Sequence, residues 1–138
     1  MIVELTQSGS SAILTLNRPE ALNALSFQIL RDIGAALDSV ALQCDVRVLL
    51  VVGAGDKAFC AGADIKELRH RRLIDQKRGA ELGQAVFAKL DALPIPSIAL
   101  VNGYAFGGGC GCGDCGFWFG WRGDAEAERG RELCDGDE

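Results

Sequence analysis

The sequence predicts an α/β fold built from ββα units around a partly parallel sheet. Two stretches carry this prediction, VRVLLVV at 46–52 and SIALVN at 97–102. Both are almost continuously apolar, as strands buried on both faces of a parallel sheet are. Helical patterns separate them from each other and from the N-terminal strands, and that alternation is typical of parallel α/β sheets.

The N-terminal third supplies one complete ββα unit. Residues 2–7 and 12–17 read as two short strands around a turn at 8–10. Ser26 is a suitable N-cap for a following helix. The apolar residues of that helix recur at helical spacing and are Phe27, Leu30, Ile33, Leu37 and Val40.

The middle of the chain predicts two further helices before the strand at 97–102. One is expected to begin near Asp64, and a longer one to cover residues 74–90. The apolar face of the longer helix would hold Leu82, Val86, Phe87 and Leu90. Pro94 and Pro96 then end the helical pattern.

Length and composition indicate one ordinary globular domain, since the chain has 138 residues, 49% of them hydrophobic and 24% charged. A net charge of −5 without long basic runs argues against nucleic acid as a partner. No apolar run reaches the roughly 18 to 20 residues that cross a bilayer, and the N-terminus does not resemble a signal peptide. We therefore expect a cytoplasmic protein without a membrane partner, in which Cys44 and Cys60 are small buried residues.

Two glycine-rich stretches each follow a predicted strand: AFCAGADIKEL at 58–68 and VNGYAFGGGC at 101–110. If they lie side by side, one backbone N–H from each could bind a single oxygen. Such an oxyanion hole suits chemistry in which a carbonyl becomes an enolate. The alternative is that both stretches are only tight turns. Neither is a dinucleotide-binding fingerprint or a P-loop.

Three segments, 12–27, 58–68 and 94–110, together resemble the enoyl-CoA hydratase/isomerase family, also called the crotonase family. The resemblance implies a crotonase-like spiral of ββα units, here truncated. It also implies binding of acyl-CoA thioesters, with coenzyme A as part of the substrate and no other cofactor. It further implies that the intact protein assembles as a homotrimer or as a hexamer made of two trimers.

The resemblance assigns the two oxyanion-hole N–H groups to Ala63 and Gly108. Lys66 could reach a phosphate of CoA or be a solvated helix residue, and Glu20 stands where the family often has a basic residue. The positions that it places at the CoA-binding surface are Ala21, Leu22, Ala61, Gly62, Asp64, Ile65, Lys66 and Gly107.

Other candidate residues receive structural roles. Asp64 is expected to be a helix N-terminal acid rather than a general base. His70, the single histidine, is expected at the surface. Phe59 and Phe106 are expected to be packing residues.

The resemblance ends after residue 110. Hydratases of the family have a glutamate where this chain has Gly111, and a second one near Arg131 and Glu132. Hydration needs such carboxylates to position water and exchange protons. The prediction is therefore hydration of trans-2-enoyl-CoA by the intact gene product. The alternatives are a catalytically inactive fragment, or a family member with isomerase or other acyl-CoA chemistry.

The segment 111–138 differs in composition from what precedes it. We interpret residues 1–110 as the N-terminal part of an acyl-CoA-binding domain and residues 111–138 as a non-native or disordered tail, produced by a frameshift. The competing interpretation is a zinc site, because four thiols suit tetrahedral zinc. Its ligands would be Cys110, Cys112, Cys115 and Cys134.

Overall fold

The structure, a computed structural model, describes residues 2–105 and the backbone of residues 117–120. The strands are β1 (Val3–Ser8), β2 (Ser11–Leu16), β3 (Val48–Gly53), β4 (Ala58–Cys60), β5 (Ser97–Val101), β6 (Tyr104–Ala105) and β7 (Phe117–Gly120). The helices are α1 (Phe27–Ala41), α2 (Ile65–Leu68) and α3 (Leu73–Asp91), and a short 3-10 helix covers Pro19–Ala21.

The main sheet has the strand order β1-β2-β3-β5-β7. β1 and β2 form an antiparallel hairpin, whereas β2, β3, β5 and β7 run parallel to one another. β4 and β6 form a separate two-stranded parallel sheet. The predicted α/β class with a partly parallel sheet is thus confirmed.

The core lies between one face of the main sheet and helices α1 and α3. Alternate residues of the central strands are buried, and Leu14, Val51 and Ala99 form one row across the sheet in register. Helix α1 covers this row with Ile29, Ile33 and Leu37, each at most 6% exposed. Buried residues recur every second position in the strands and about every 3.6 positions in the helix, so that each element presents one apolar face to the other.

The predicted helix starts are confirmed. The Ser26 Oγ accepts the N–H of Ile29 at 3.2 Å, which caps α1. Asp64 is the N-cap of α2, and α3 covers the predicted range with Val86 and Leu90 buried.

Several features were not foreseen. β4 and β6 are too short for a period to be visible, and no element was expected at β7. The prediction that residues 111–138 are non-native or disordered lies outside the described residues, apart from the backbone of β7. The expectation for Cys44 was wrong: it is exposed, because it lies in the connection between α1 and β3 rather than on a packed face.

The parallel strands bring three connections to one edge of the main sheet. β2, β3 and β5 end at Leu16, Gly53 and Val101, and the chain segments that follow them leave from that edge. In open α/β sheets, ligands bind at the carboxyl ends of the strands. Among the described helices, none has the combination of length and apolar character that crossing a bilayer requires.

Candidate functional site at the carboxyl edge of the sheet

Ala63 lies opposite Leu25 in an isolated parallel bridge. Leu25 donates its N–H to the Gly62 carbonyl at 2.7 Å and accepts the Asp64 N–H at 3.0 Å. In a parallel pairing these bonds use the peptide groups on either side of Ala63, so the N–H of Ala63 itself points away from Leu25. Within the described part of the chain this N–H has no acceptor, and Ala63 is exposed. Among the described residues, no acceptor competes with a ligand for this N–H.

The chain around Ala63 is fixed on both sides. Ala61 donates its N–H to the Leu22 carbonyl at 3.0 Å, so the early loop and the first glycine-rich stretch are in contact. Gly62 has φ +87°, a conformation that side-chain-bearing residues rarely adopt. The glycine at 62 is thus needed to turn the chain into the bridge. Ala21 lies at the end of the 3-10 helix, directly before Leu22.

The second glycine-rich stretch enters beside the first. β6 pairs in parallel with β4, with Cys60 opposite Ala105. A Cβ on Gly103 would overlap the carbonyl oxygen of Lys57, so only glycine allows this approach. The two stretches therefore leave neighbouring strands in the same direction, as the oxyanion-hole prediction requires. Gly107 and Gly108, and with them Phe106, lie outside the described residues.

Asp64 has the structural role that the sequence predicted. Its Oδ1 accepts the N–H groups of Lys66 and Glu67 at 3.1 and 3.4 Å. Its Oδ2 lies 2.9 Å from Nη1 of Arg18, in the loop after β2. The hydrogen bond from Arg18 lowers the pKa of Asp64, while desolvation opposes the change and the backbone N–H groups reinforce it. A carboxylate held ionised in this way is poorly suited to act as a general base.

An apolar cavity of about 240 Å³ opens next to Ala63. Helices α1, α2 and α3 all contribute to its walls. Its apolar lining is supplied chiefly by Leu25, Phe27, Leu30, Leu68 and Phe87, with Gly79, Ala80 and Gly83 on the α3 side. A chain bound at the Ala63 N–H through an oxygen could therefore extend into an apolar space.

A second cavity, of about 180 Å³, lies between the early loop and the turn that joins β3 to β4. It is lined by Pro19, Leu22, Asn23 and residues 54–58, including Lys57. Lys57 was not singled out from the sequence, where it is one of several isolated lysines. The site thus has one apolar cavity and one that both a cation, Lys57, and an anion, Asp56, border.

Two asparagines fix the turn between β3 and β4. Asn23, 1% exposed, donates from Nδ2 to the carbonyls of Ala54 and Ala58, both at 3.0 Å. Asn102 donates from Nδ2 to the carbonyls of Gly53 and Gly55, both at 2.9 Å. Asn23 comes from the loop before Leu25, and Asn102 comes from the start of the second glycine-rich stretch. The turn therefore connects the two halves of the candidate site.

The remaining predicted residues are placed as follows. Ile65 is 71% exposed, and Lys66 and His70 are also exposed. Phe59 is fully buried, which confirms its packing role. Burial raises the pKa of the Cys60 thiol to about 11, against the opposing effect of the Gly62 N–H. The zinc interpretation rests on cysteines outside the described residues.

Comparisons with known proteins show the family to which the chain is similar. The profile of a family described as Enoyl-CoA hydratase/isomerase matches residues 6–115. A short-chain-enoyl-CoA hydratase of Clostridium acetobutylicum is 41% identical over 108 residues, covering 78% of this chain and 41% of the relative. A 3-hydroxyisobutyryl-CoA hydrolase of Rattus norvegicus is 37% identical over 112 residues, covering 79% of this chain and 29% of the relative.

The fold comparison gives the same result. A crystal structure of an enoyl-CoA hydratase from Bacillus anthracis superposes with a TM-score of 0.82 at 29% identity. The match covers 85% of this chain and 46% of that structure. The match therefore spans less than half the length of each of these three relatives.

Proposed function

Because the chain belongs to the enoyl-CoA hydratase/isomerase family, we propose that its carboxyl-edge loops bind an acyl-CoA thioester and stabilise the thioester enolate. The observation that carries this proposal is the N–H of the exposed residue Ala63, which points away from Leu25 and has no acceptor among the described residues. The second donor in the proposal is the N–H of Gly108. Two preorganised N–H groups stabilise an enolate oxygen more than a neutral carbonyl oxygen, and this difference lowers the barrier.

The two cavities support a placement of the two ends of the substrate. The acyl group occupies the apolar cavity next to Ala63, where burial of its methylenes is favourable. The CoA portion lies along Ala21, Leu22 and residues 61–66, beside the second cavity, which Leu22 and Lys57 line. Coenzyme A enters as part of the substrate, and the proposed chemistry draws on no further cofactor.

In the intact gene product we expect hydration of trans-2-enoyl-CoA. Water would add its hydroxyl group to the β-carbon and a proton to the α-carbon, through the enolate held by the two N–H groups. Gly111 supplies no carboxylate for the proton steps. The 138-residue chain is therefore expected to bind and polarise the thioester without hydrating it.

A second candidate is a family member with different acyl-CoA chemistry. It is favoured by Gly111 itself and by the hydrolase from rat among the relatives, since the same enolate- or oxyanion-binding groups serve several reactions. Incubation with crotonyl-CoA and product analysis separate the candidates. The first candidate predicts no product from the 138-residue chain, whereas free CoA would indicate hydrolysis, a shifted double bond would indicate isomerisation, and hydroxyacyl-CoA would contradict the inferred loss of hydration.

The proposed polarisation can be measured without turnover. Crotonyl-CoA with an isotope-labelled carbonyl is added to the protein, and the carbonyl stretching frequency is recorded by difference infrared spectroscopy. We expect a lower frequency in the bound state, and a smaller decrease in Ala63→Pro, which lacks the N–H. Ala63→Gly keeps the N–H and is the matched control. An unchanged frequency on binding to the wild-type chain would refute the proposal.

A further inference from the structure

Phe27 is contacted by two charged side chains at the wall of the apolar cavity. Its backbone N–H is directed at the Glu67 carboxylate, with oxygens at 3.2 and 3.4 Å. The Arg71 guanidinium lies over its ring, 4.4 Å from the ring centroid. Arg71 is also paired with Glu67 at 3.3 Å, so the three residues form one connected group. The ring is thereby packed beneath Arg71, and the backbone that carries it is hydrogen-bonded to Glu67.

Gly79 creates the space that the ring occupies. A Cβ on Gly79 would overlap Cε1 and Cζ of Phe27. Glycine inside a helix costs about 1 kcal/mol relative to alanine, and Gly79 lies in the interior of α3. A glycine kept at such a position has a packing reason, and here that reason is the ring of Phe27.

We propose that Phe27 is the specificity-determining residue for the acyl chain, and that Gly79 and Arg71 are positioning residues that act through it. The inference rests on the proposed function, because it takes the cavity next to Ala63 as the acyl site. Phe27 and Gly79 both line that cavity of about 240 Å³. The position of one ring therefore sets the volume open to the acyl tail, and with it the chain length at which affinity stops rising.

Substitutions at Phe27 and at Gly79 should change the preferred acyl-chain length in opposite directions. Phe27→Leu removes part of the ring and enlarges the cavity. Gly79→Ala adds a methyl group where the ring now lies, so either the methyl or the displaced ring takes up cavity volume. A merely structural role would weaken the binding of all chain lengths by the same factor. A shift in the chain-length profile separates the two explanations.

The experiment measures dissociation constants of the 138-residue chain for CoA and for saturated acyl-CoA thioesters from acetyl to decanoyl. In the wild type, affinity should rise about fourfold per methylene until the cavity is full. The rise should continue to longer chains in Phe27→Leu and end at shorter chains in Gly79→Ala. Gly34→Ala is the matched control, since its Cβ would meet Val86 at an ordinary 3.5 Å and Gly34 does not line the cavity.

The outcomes distinguish this inference from the proposed function. If thioesters bind with the expected carbonyl shift but all variants share one chain-length profile, the role of Phe27 is refuted while the proposed function stands. If no thioester binds more tightly than CoA, the acyl site itself is wrong and the inference falls with it. Should Gly79→Ala fail to fold, an unchanged profile in Phe27→Leu is sufficient to refute the role of Phe27.

Discussion

Arg18 and Asp64 are 46 residues apart in sequence, yet Nη1 of the first lies 2.9 Å from Oδ2 of the second. Asp64 is at the same time the N-cap of α2. One carboxylate therefore joins the loop after β2 to the start of the helix that follows Ala63. Through this contact the early loop and the first glycine-rich stretch are positioned relative to each other.

The Arg18–Asp64 pair predicts a pH dependence of stability. The folded state holds the pKa of Asp64 below its ordinary 3.8. Its contribution is therefore present above pH 3.8 and is lost as the pH falls through the lower folded value. Asp64→Asn keeps a capping side chain but loses the ion pair, so we expect a loss of about 1–2 kcal/mol near neutrality. Urea unfolding at a series of pH values measures both effects.

The control for this pair is Asp38→Asn. Asp38 pairs with Lys89 at 2.9 Å, but the two side chains are 63% and 46% exposed. An exposed pair contributes about 0–1 kcal/mol, so this variant should change stability little. The difference in unfolding free energy between the wild type and Asp64→Asn should shrink as the pH falls. If it did not, the ion pair would not be the source of this stability.

Asn23 predicts a large loss of stability when its side chain is removed. It accepts the Arg18 N–H at 2.8 Å in addition to the two bonds that it donates, and its φ of 54° suits asparagine better than alanine. Asn23→Ala leaves buried polar groups unpaired and should cost about 3 kcal/mol. Chemical denaturation measures this cost. Asn17→Ala, which removes one bond to Glu4, is the control and should cost less than half as much.

The elements with local causes could be predicted from the sequence. Ser26 and the apolar spacing after it define α1 within a few residues, and the apolar run at 46–52 defines β3. β4 could not be found in this way, because three residues are too few for a period of two to be recognised. The chain there is a strand because β6 pairs with it.

The site was predicted only in part, for the same physical reason. The glycines and Ala63 stand out in the sequence because glycine permits unusual backbone conformations. Phe27 and Asn23 do not stand out. Phe27 reads as one more apolar helix residue, and Asn23 as a polar residue in a loop. Their roles arise from Gly79 and from the carbonyls of Ala54 and Ala58, which only the tertiary fold brings near.

The close approach of Gly103 to Lys57 predicts that alanine substitutions at Gly103 and at Gly83 change stability in opposite directions. In Gly103→Ala the new methyl group would overlap backbone atoms of Lys57, which cannot move without separating β6 from β4. We expect a loss of about 1–3 kcal/mol, measured by thermal or urea unfolding. In Gly83→Ala the methyl would meet only Leu30 at 3.8 Å, so the gain in helix propensity should dominate. Equal effects of the two substitutions would contradict the close approach of Gly103.

The two described cysteines predict selective alkylation. Cys60 is fully buried and its thiol has a pKa of about 11, whereas Cys44 is exposed. Because the thiolate is the reactive form, iodoacetamide should modify Cys44 and leave Cys60 intact in the native state. Peptide mass mapping with and without urea measures how far each cysteine is alkylated. The raised pKa also implies that stability is lost as the pH rises above 9.0, the ordinary value for the thiol. Modification of both cysteines at the same native rate would contradict the burial of Cys60.

The position of Glu20 predicts that replacing it with lysine raises the affinity for CoA. It is exposed in the 3-10 helix between Pro19 and Ala21, next to the loop that we propose to contact CoA. Its carboxylate repels the CoA phosphates, so Glu20→Lys should raise affinity about threefold at low salt, with a smaller gain at high salt. Titration with CoA and with dephospho-CoA measures the gain and identifies the phosphate concerned. Glu81→Lys, on the exposed side of α3, makes the same change in net charge and should leave the affinity unaltered. An equal gain in both variants would mean that net charge alone attracts CoA, and that the early loop does not contact it.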